Sequence, residues 1–157
     1  AAAQARLQVV ADAFKKANAA VQWADASFIQ ALCLMDQEKY TEAARLFEDV
    51  RQVRVRARDR FSLVETYEQL GQALLHQGNP SGALIAMAQG RCFAERLGQH
   101  GRMGRLDADM AALVGALDAD ASIDAKEAMV QAQAEVDGME AMWKAPPQPE
   151  APSNEVH

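Results

Sequence analysis

The sequence has few aromatic residues, and no stretch of it alternates apolar and polar residues over the length of a strand. Aromatic side chains make up 6% of the 157 residues, whereas half of all residues are hydrophobic, mostly Ala, Leu, Val and Met. Alanine has the highest intrinsic helix propensity. The composition therefore excludes a chain that is disordered overall, and it predicts an all-α protein with one domain and a modest core.

Cysteine is also scarce, and long apolar runs are missing. Cys33 and Cys92 lie far apart, whereas disulfide frameworks belong to small secreted chains that are dense in cysteine. We expect two buried, reduced thiols and a cytoplasmic or other reducing intracellular compartment. No segment has the roughly 18–20 apolar residues that a membrane span needs. The chain begins with Ala-Ala-Ala-Gln and no Met, so we expect a further N-terminal segment.

Patterns typical of catalytic and metal sites are missing as well. The three histidines are not at zinc-ligand spacing from a cysteine or from one another. There is no Gly-rich phosphate loop, nucleotide fingerprint or nucleophile elbow. The acidic pairs Asp107/Asp109 and Asp118/Asp120 are two residues apart, so on a helix the members of a pair do not share a face. We therefore expect no catalytic residue, metal site or cofactor, and no enzyme activity.

The most informative stretch that is present runs from Tyr67 to Ala83 and reads Y-x-x-L-G-x-x-L-x-x-x-G-N-x-x-x-A. Its first half predicts a helix with apolar and small residues on one side. Gly78-Asn79-Pro80 ends that helix, and a second helix follows with Ala83 facing back. A hairpin of two short helices cannot bury its apolar side alone, so it must stack on copies of itself.

A shift of forty residues aligns this hairpin with an earlier one. The matched positions alternate between small and large apolar residues: Ala31 with Gly71, Leu34 with Leu74, Ala43 with Ala83, and Phe47 with Met87. The pattern resembles a tetratricopeptide repeat, in the subclass with a longer second helix. The resemblance implies a right-handed superhelical stack of antiparallel helical hairpins, an α-solenoid over residues 1–144 that is incomplete at its N-terminus.

The ends of the repeat region carry weaker signals. Residues Gln4–Phe14 resemble the second helix of an earlier hairpin, and Gly98 is a candidate helix C-cap. A stripe of apolar residues from Leu106 to Leu117 predicts a degenerate third repeat. A C-terminal capping helix over Ser122–Lys144 has apolar residues at seven-residue spacing, with N-cap candidates Asp118, Asp120 and Ser122. We expect its stripe to pack on the last hairpin, with a short coiled coil to another chain as the alternative. The Pro-rich residues 145–157 predict an extended or disordered tail.

In this family the first helices of successive repeats line a concave face, which places a partner-binding groove here. The resemblance assigns to it Asp25, Phe28, Leu32, Met35, Glu65, Glu68, Gln72 and Leu75, followed by Arg105, Ala108 and Ala112 of the third repeat. Such a groove has an acidic rim and an apolar floor, which suit a helix or extended segment with apolar anchors and basic flanks. The alternative interpretation is that several of these residues belong to the core.

A run of arginines forms a second candidate site. Arg51, Arg54 and Arg58 share one side of a helix whose core side is predicted to carry Val50, Val53 and Ala57. This side is either solvated and paired with neighbouring acids, or a patch for an anionic partner. The chain has a pI near 5.0 and no aromatic residues among these arginines, whereas domains that bind phosphates are usually basic. We therefore expect an acidic protein segment rather than nucleic acid.

The resemblance implies a scaffold for protein–protein interactions, and we expect a subunit of a larger hetero-complex. A small chaperone for an exported or aggregation-prone client is the alternative, and a peptide-sensing regulator is a third. One subclass of the family binds chaperone C-termini through Lys and Asn. Asp25 and Glu65 stand where Lys would be needed, so we do not expect a carboxylate ligand.

Overall fold

The chain folds into helices, and the part described by the computed structural model, residues 2–117 and 125–145, contains no strand. The helices are α1 (Ala2–Asp36), α2 (Tyr40–Arg56), α3 (Arg60–Gln77), α4 (Pro80–Arg96), α5 (His100–Ala116) and α6 (Ala125–Lys144). From α1 to α5, each helix packs against the next one in the chain, and α6 packs mainly against α4. The predicted all-α class is confirmed. No described helix is long and apolar enough to cross a membrane.

Four successive helices begin at every twentieth residue, because the same link precedes each of them. In each link a backbone N–H donates to the carbonyl five residues earlier: Lys39 to Leu34, Asp59 to Arg54, Asn79 to Leu74, and Gln99 to Ala94, at 2.8–3.0 Å. The residue before that donor has a positive φ: Glu38 59°, Arg58 56°, Gly78 91°, and Gly98 69°. This is a Schellman closure. The forty-residue sequence period thus corresponds to two helices and two links of the same kind.

Most of the positions that match across the forty-residue shift lie in the core, and Leu34 and Leu74 are partly buried against it. Ala31, Ala43, Phe47 and Ala83 are fully buried. The core continues through α3 and α4, where the rings of Tyr67 and Phe93 stack with centroids 6.0 Å apart. Each of these residues faces a neighbouring helix, which explains why the sequence alternates small and large side chains at these positions.

The first helix differs from the prediction that residues Gln4–Phe14 form the second helix of an earlier hairpin. The structure has a single helix of 35 residues from Ala2 to Asp36, with no turn between Phe14 and Ala24. No residue between Phe14 and Ala24 is Gly or Pro, and no backbone closure of the kind seen after α1 and α2 interrupts the helix between these two residues. That part of the prediction is therefore wrong: these residues extend α1.

The last helix packs with the predicted stripe inward. Ala128, Ala132, Val136 and Trp143 are buried. The Trp143 indole N–H donates to the Val55 carbonyl at 3.0 Å, so α6 reaches from α4 to the end of α2. A coiled coil with another chain through this stripe would need it to leave that position. The candidate N-cap residues and the tail from residue 146 lie outside the described residues.

Candidate interaction face

Side chains of α1 and α3 meet around an open depression of about 510 Å³. Leu32 and Met35 contribute from α1, and Gln69 and Gln72 contribute from α3. The sequence repeat explains this arrangement, because Gln72 is the residue forty positions after Leu32. Of the predicted groove residues, Leu32, Met35 and Gln72 are thus brought together.

One end of this depression is closed by two stacked rings. Tyr40, the first residue of α2, lies against His76 of α3, with ring centroids 4.7 Å apart. The Nδ1–H of His76 donates to the Gln72 carbonyl at 2.8 Å. Asp36 also lines the depression, so its rim is acidic on the α1 side.

The acidic residues further along this face share a buried arginine. Arg54 is only 5% exposed. Its guanidinium donates to Thr66 Oγ1 at 2.8 Å and to Asp25 Oδ1 at 3.2 Å, and it lies 3.8 Å from Glu65 Oε1. The side chains of Asp25 and Glu65 remain 63% and 42% exposed. They therefore present an acidic surface whose charge is compensated on its inner side.

Phe28, which the prediction placed in the groove, lies below this cluster. It is buried, and its ring packs edge-on against Phe47 with centroids 5.4 Å apart. The Arg54 guanidinium covers its other side at 4.8 Å from the ring centroid. Phe28 therefore acts as core under the acidic rim and is not accessible to a partner.

The remaining predicted groove residues connect this face to α5. Glu68 of α3 pairs with Arg102 of α5 at 3.6 Å, and Leu75 is partly buried. The α5 residues Arg105, Ala108 and Ala112 are exposed. The Glu68–Arg102 ion pair thus joins the α3 side of this face to α5.

The three arginines of the predicted anionic-partner patch lie in three different environments. Arg54 is buried as described, and Arg58 is exposed in the link after α2. Arg51 donates two hydrogen bonds to the Glu48 carboxylate, at 2.8 and 2.5 Å. This pairing raises the pKa of Arg51 above its usual value. Of the three, only Arg58 has an exposed side chain for an external anion.

Sequence reasoning missed a second groove, which lies between α2 and α4 and measures about 440 Å³. Leu70 and Leu74 of α3 line it, and Glu48 and Arg51 of α2 flank it. Met139 of α6 contributes to one end. The sequence signal for this groove is present in the spacing of Leu70 and Leu74, but it is the same spacing that predicts the hairpin core.

The two cysteines lie in different environments. Cys92 is buried, as predicted, and burial raises the pKa of its thiol. Cys33 is exposed, so the prediction of two buried thiols is wrong for this residue. Within residues 2–117 and 125–145, no group of three or more His, Cys, Asp or Glu side chains could hold a metal ion.

The chain matches no family model, no curated protein and no solved structure.

Proposed function

We propose that the protein is a scaffold that binds another protein on the face lined by α1, α3 and α5, as a subunit of a hetero-complex in a reducing compartment. The observation that carries the proposal is the depression formed by Leu32, Met35, Gln69 and Gln72. Its lining combines the apolar side chains of Leu32 and Met35 with the amides of Gln69 and Gln72. Such a surface accommodates apolar anchors and also bonds to the polar groups of a bound chain.

The twenty-residue spacing of the helices supports a tetratricopeptide-like solenoid as the finer description of the fold. In such a stack every other helix lies on the same face, so residues one sequence period apart occupy equivalent places on that face. Positions forty residues apart then form successive subsites along a bound segment. Asp25 and Glu65 are one such pair, and Leu32 and Gln72 are another.

The charges on this face define the chemistry of the partner. Asp25, Asp36 and Glu65 are exposed or line the depression. We therefore propose a helix or extended segment with one or two apolar side chains that are flanked by Lys or Arg. A carboxylate-terminated or phosphorylated ligand would be repelled by the same residues.

The test is a selection of displayed random peptides of about 15 residues on the full chain. We expect enriched peptides with apolar anchors and basic flanks. Leu32→Asp should weaken their binding by at least about tenfold, because it places a charge on the apolar floor. Val130→Asp is the matched control, since Val130 is an exposed apolar residue on α6. Phe28 is unsuitable for this test because it is buried core.

Two results would count against the proposal. Peptides that bind Leu32→Asp as well as the unaltered chain would place the binding surface elsewhere. Selection of apolar peptides with no common sequence and no charge preference would favour the chaperone alternative, because a holding chaperone binds many unfolded segments.

A further inference from the structure

A third depression, of about 330 Å³, lies between the middle of α1 and the end of α2. Its lining is mostly apolar: Ala17, Ala20 and Val21 contribute from α1, and Val53 and Ala57 contribute from the end of α2 and the residue after it. Val21 is 37% exposed here. We call this surface the α1–α2 depression.

The two charged residues that line the α1–α2 depression are both cations. Lys16 contributes from α1 and Arg56 from α2, and both are exposed. Neither has a counter-ion among residues 2–117 and 125–145. An occupant of this depression should therefore combine apolar side chains with negative charge.

The last helix finishes at the same end of α2. Trp143 donates its indole N–H to the Val55 carbonyl at 3.0 Å, and α6 ends at the next residue, Lys144. Val55 is close in sequence to Val53 and Arg56, but residues two apart on a helix do not share a face. The chain that continues from α6 thus starts about one helix diameter, roughly 10–12 Å, from the depression.

Residues 146–157, which follow α6, have a composition that suits this depression. Pro146, Pro149 and Pro152 recur at every third residue. A polyproline II helix has three residues per turn, so in that conformation they share one edge. The acidic residues are Glu150 and Glu155, and the segment contains no Lys or Arg. It therefore offers an apolar edge accompanied by negative charge.

We propose that residues 146–157 bind in the α1–α2 depression of the same chain. At about 3.1 Å per residue, the five residues from Ala145 to Glu150 cover about 15 Å. This distance is sufficient to pass round one side of α2 and to place Glu150 beside Arg56. The following residues lie across the apolar lining, and Glu155 reaches Lys16 on the α1 side.

The covalent connection favours this segment over a separate molecule. A short flexible connection gives a tethered segment an effective concentration in the millimolar range. A contact with a dissociation constant of about 1 mM for a free peptide would therefore be about half occupied in the intact chain. The same segment of a second copy would reach this concentration only in a millimolar solution of the protein.

Disulfide cross-linking in the full chain tests the placement. The chains carry Cys33→Ser and Ala151→Cys, together with Ala20→Cys or, as the matched control, Ala19→Cys. Ala20 lines the depression, whereas Ala19 faces another side of α1 because adjacent helical residues do not share a face. Under mild oxidation at about 1 µM protein, the intrachain disulfide should form at least about tenfold faster with Ala20→Cys than with Ala19→Cys.

Charge reversal tests the contact between Glu150 and Arg56. In the Ala20→Cys chain, Arg56→Glu should slow the intrachain disulfide by at least about threefold, and adding Glu150→Arg should restore the rate. Arg45→Glu is the matched control, because Arg45 is an exposed arginine of α2 that does not line the depression. Circular dichroism should show the same helix content in all variants.

Three results overturn the proposal. Equal rates with Ala19→Cys and Ala20→Cys would show that the segment does not prefer the depression. A rate that Glu150→Arg fails to restore would remove the contact with Arg56. Disulfides that form mainly between chains would show that the occupant comes from a second copy. The surface is separate from the Leu32 depression, so either proposal can fail without the other.

Discussion

At the scale of single residues, a close contact between α3 and α4 depends on a missing side chain. A Cβ atom at Gly71 would lie 2.8 Å from Met87 Cγ and 3.3 Å from the Ala83 carbonyl oxygen. Real Cβ contacts are longer, so a side chain here forces the two helices apart or moves Met87. Gly104 on α5 is also helical, but a Cβ there would meet nothing within 4 Å.

We predict that Gly71→Ala lowers the free energy of unfolding by about 1–3 kcal/mol, as overpacked cores do. Gly104→Ala should raise it by about 0.5–1 kcal/mol, because alanine loses less backbone entropy in a helix. Urea unfolding monitored by circular dichroism measures the free energy of unfolding of both variants. The interpretation of Gly71 is wrong if the two substitutions change stability in the same direction.

The burial of Arg54 could not be predicted from the sequence. The sequence places it on the same helix side as Arg51 and Arg58, which is correct for a helix in isolation. Its burial depends on Asp25 and Thr66, which are 29 and 12 residues away. Helical periodicity describes only near neighbours in the chain, so it could not reveal these partners.

At the scale of whole elements, α6 is held to the body by ion pairs around a buried tryptophan. Arg60 at the start of α3 donates two hydrogen bonds to Glu140, both at 2.7 Å, and its guanidinium covers the Trp143 ring at 4.7 Å. Arg96 of α4 pairs with Asp137. Hydrogen bonds from Arg60 hold the pKa of Glu140 below its usual value, and those from Arg96 and Gln133 do the same for Asp137.

We predict that acid loosens α6 before the rest of the chain unfolds. Because the pKa of Glu140 is lower in the docked helix, the undocked helix binds protons more readily, and docking weakens as the pH falls through the docked pKa. In a Trp23→Phe chain, Trp143 fluorescence should shift to the red below about pH 4.3, the ordinary pKa of Glu.

Two variants decide whether Glu140 carries this effect. Glu140→Gln should weaken docking already at neutral pH and flatten the acid transition. Glu127→Gln, on the exposed side of α6, should change neither the docking at neutral pH nor the acid transition. An acid curve that is identical in Glu140→Gln and the unaltered chain would contradict the prediction.

At the scale of the molecule, the core is concentrated in the middle of the chain. Most of the fully buried side chains lie in α2, α3 and α4, whereas residues 5–16 of α1 are all exposed. In a stack where each helix contacts only its neighbours, such an imbalance becomes a gradient of local stability.

We predict that amides of residues 63–73 and 83–93 exchange their hydrogens slowest, and that those of residues 8–16 exchange at least about 100-fold faster. Hydrogen exchange followed by mass spectrometry gives these values. Equal protection along α1 and α3 would show that the N-terminal half of α1 is covered by a contact within the same chain.

Much of this organisation could be predicted from local sequence. The Gly78-Asn79-Pro80 turn, the Gly98 helix end and the seven-residue stripe of α6 all lie where the sequence indicates, since each depends on residues close in the chain. The turn at Arg58 lacks a glycine, yet it adopts the same positive φ as Gly78 and Gly98. There the packing of α2 on α3 compensates for an unfavourable residue.

The sequence by itself determined the helical class, the forty-residue period, the helix ends at Gly78 and Gly98 and the apolar side of most helices, because these follow from local backbone preferences and helical periodicity. Only the tertiary structure decided which apolar sides are covered. It buried Phe28 and Arg54, seated Trp143 against Val55, and left Leu7 and Phe14 exposed. The physical reason is that burial depends on contacts between residues far apart in the chain, which local preferences do not specify.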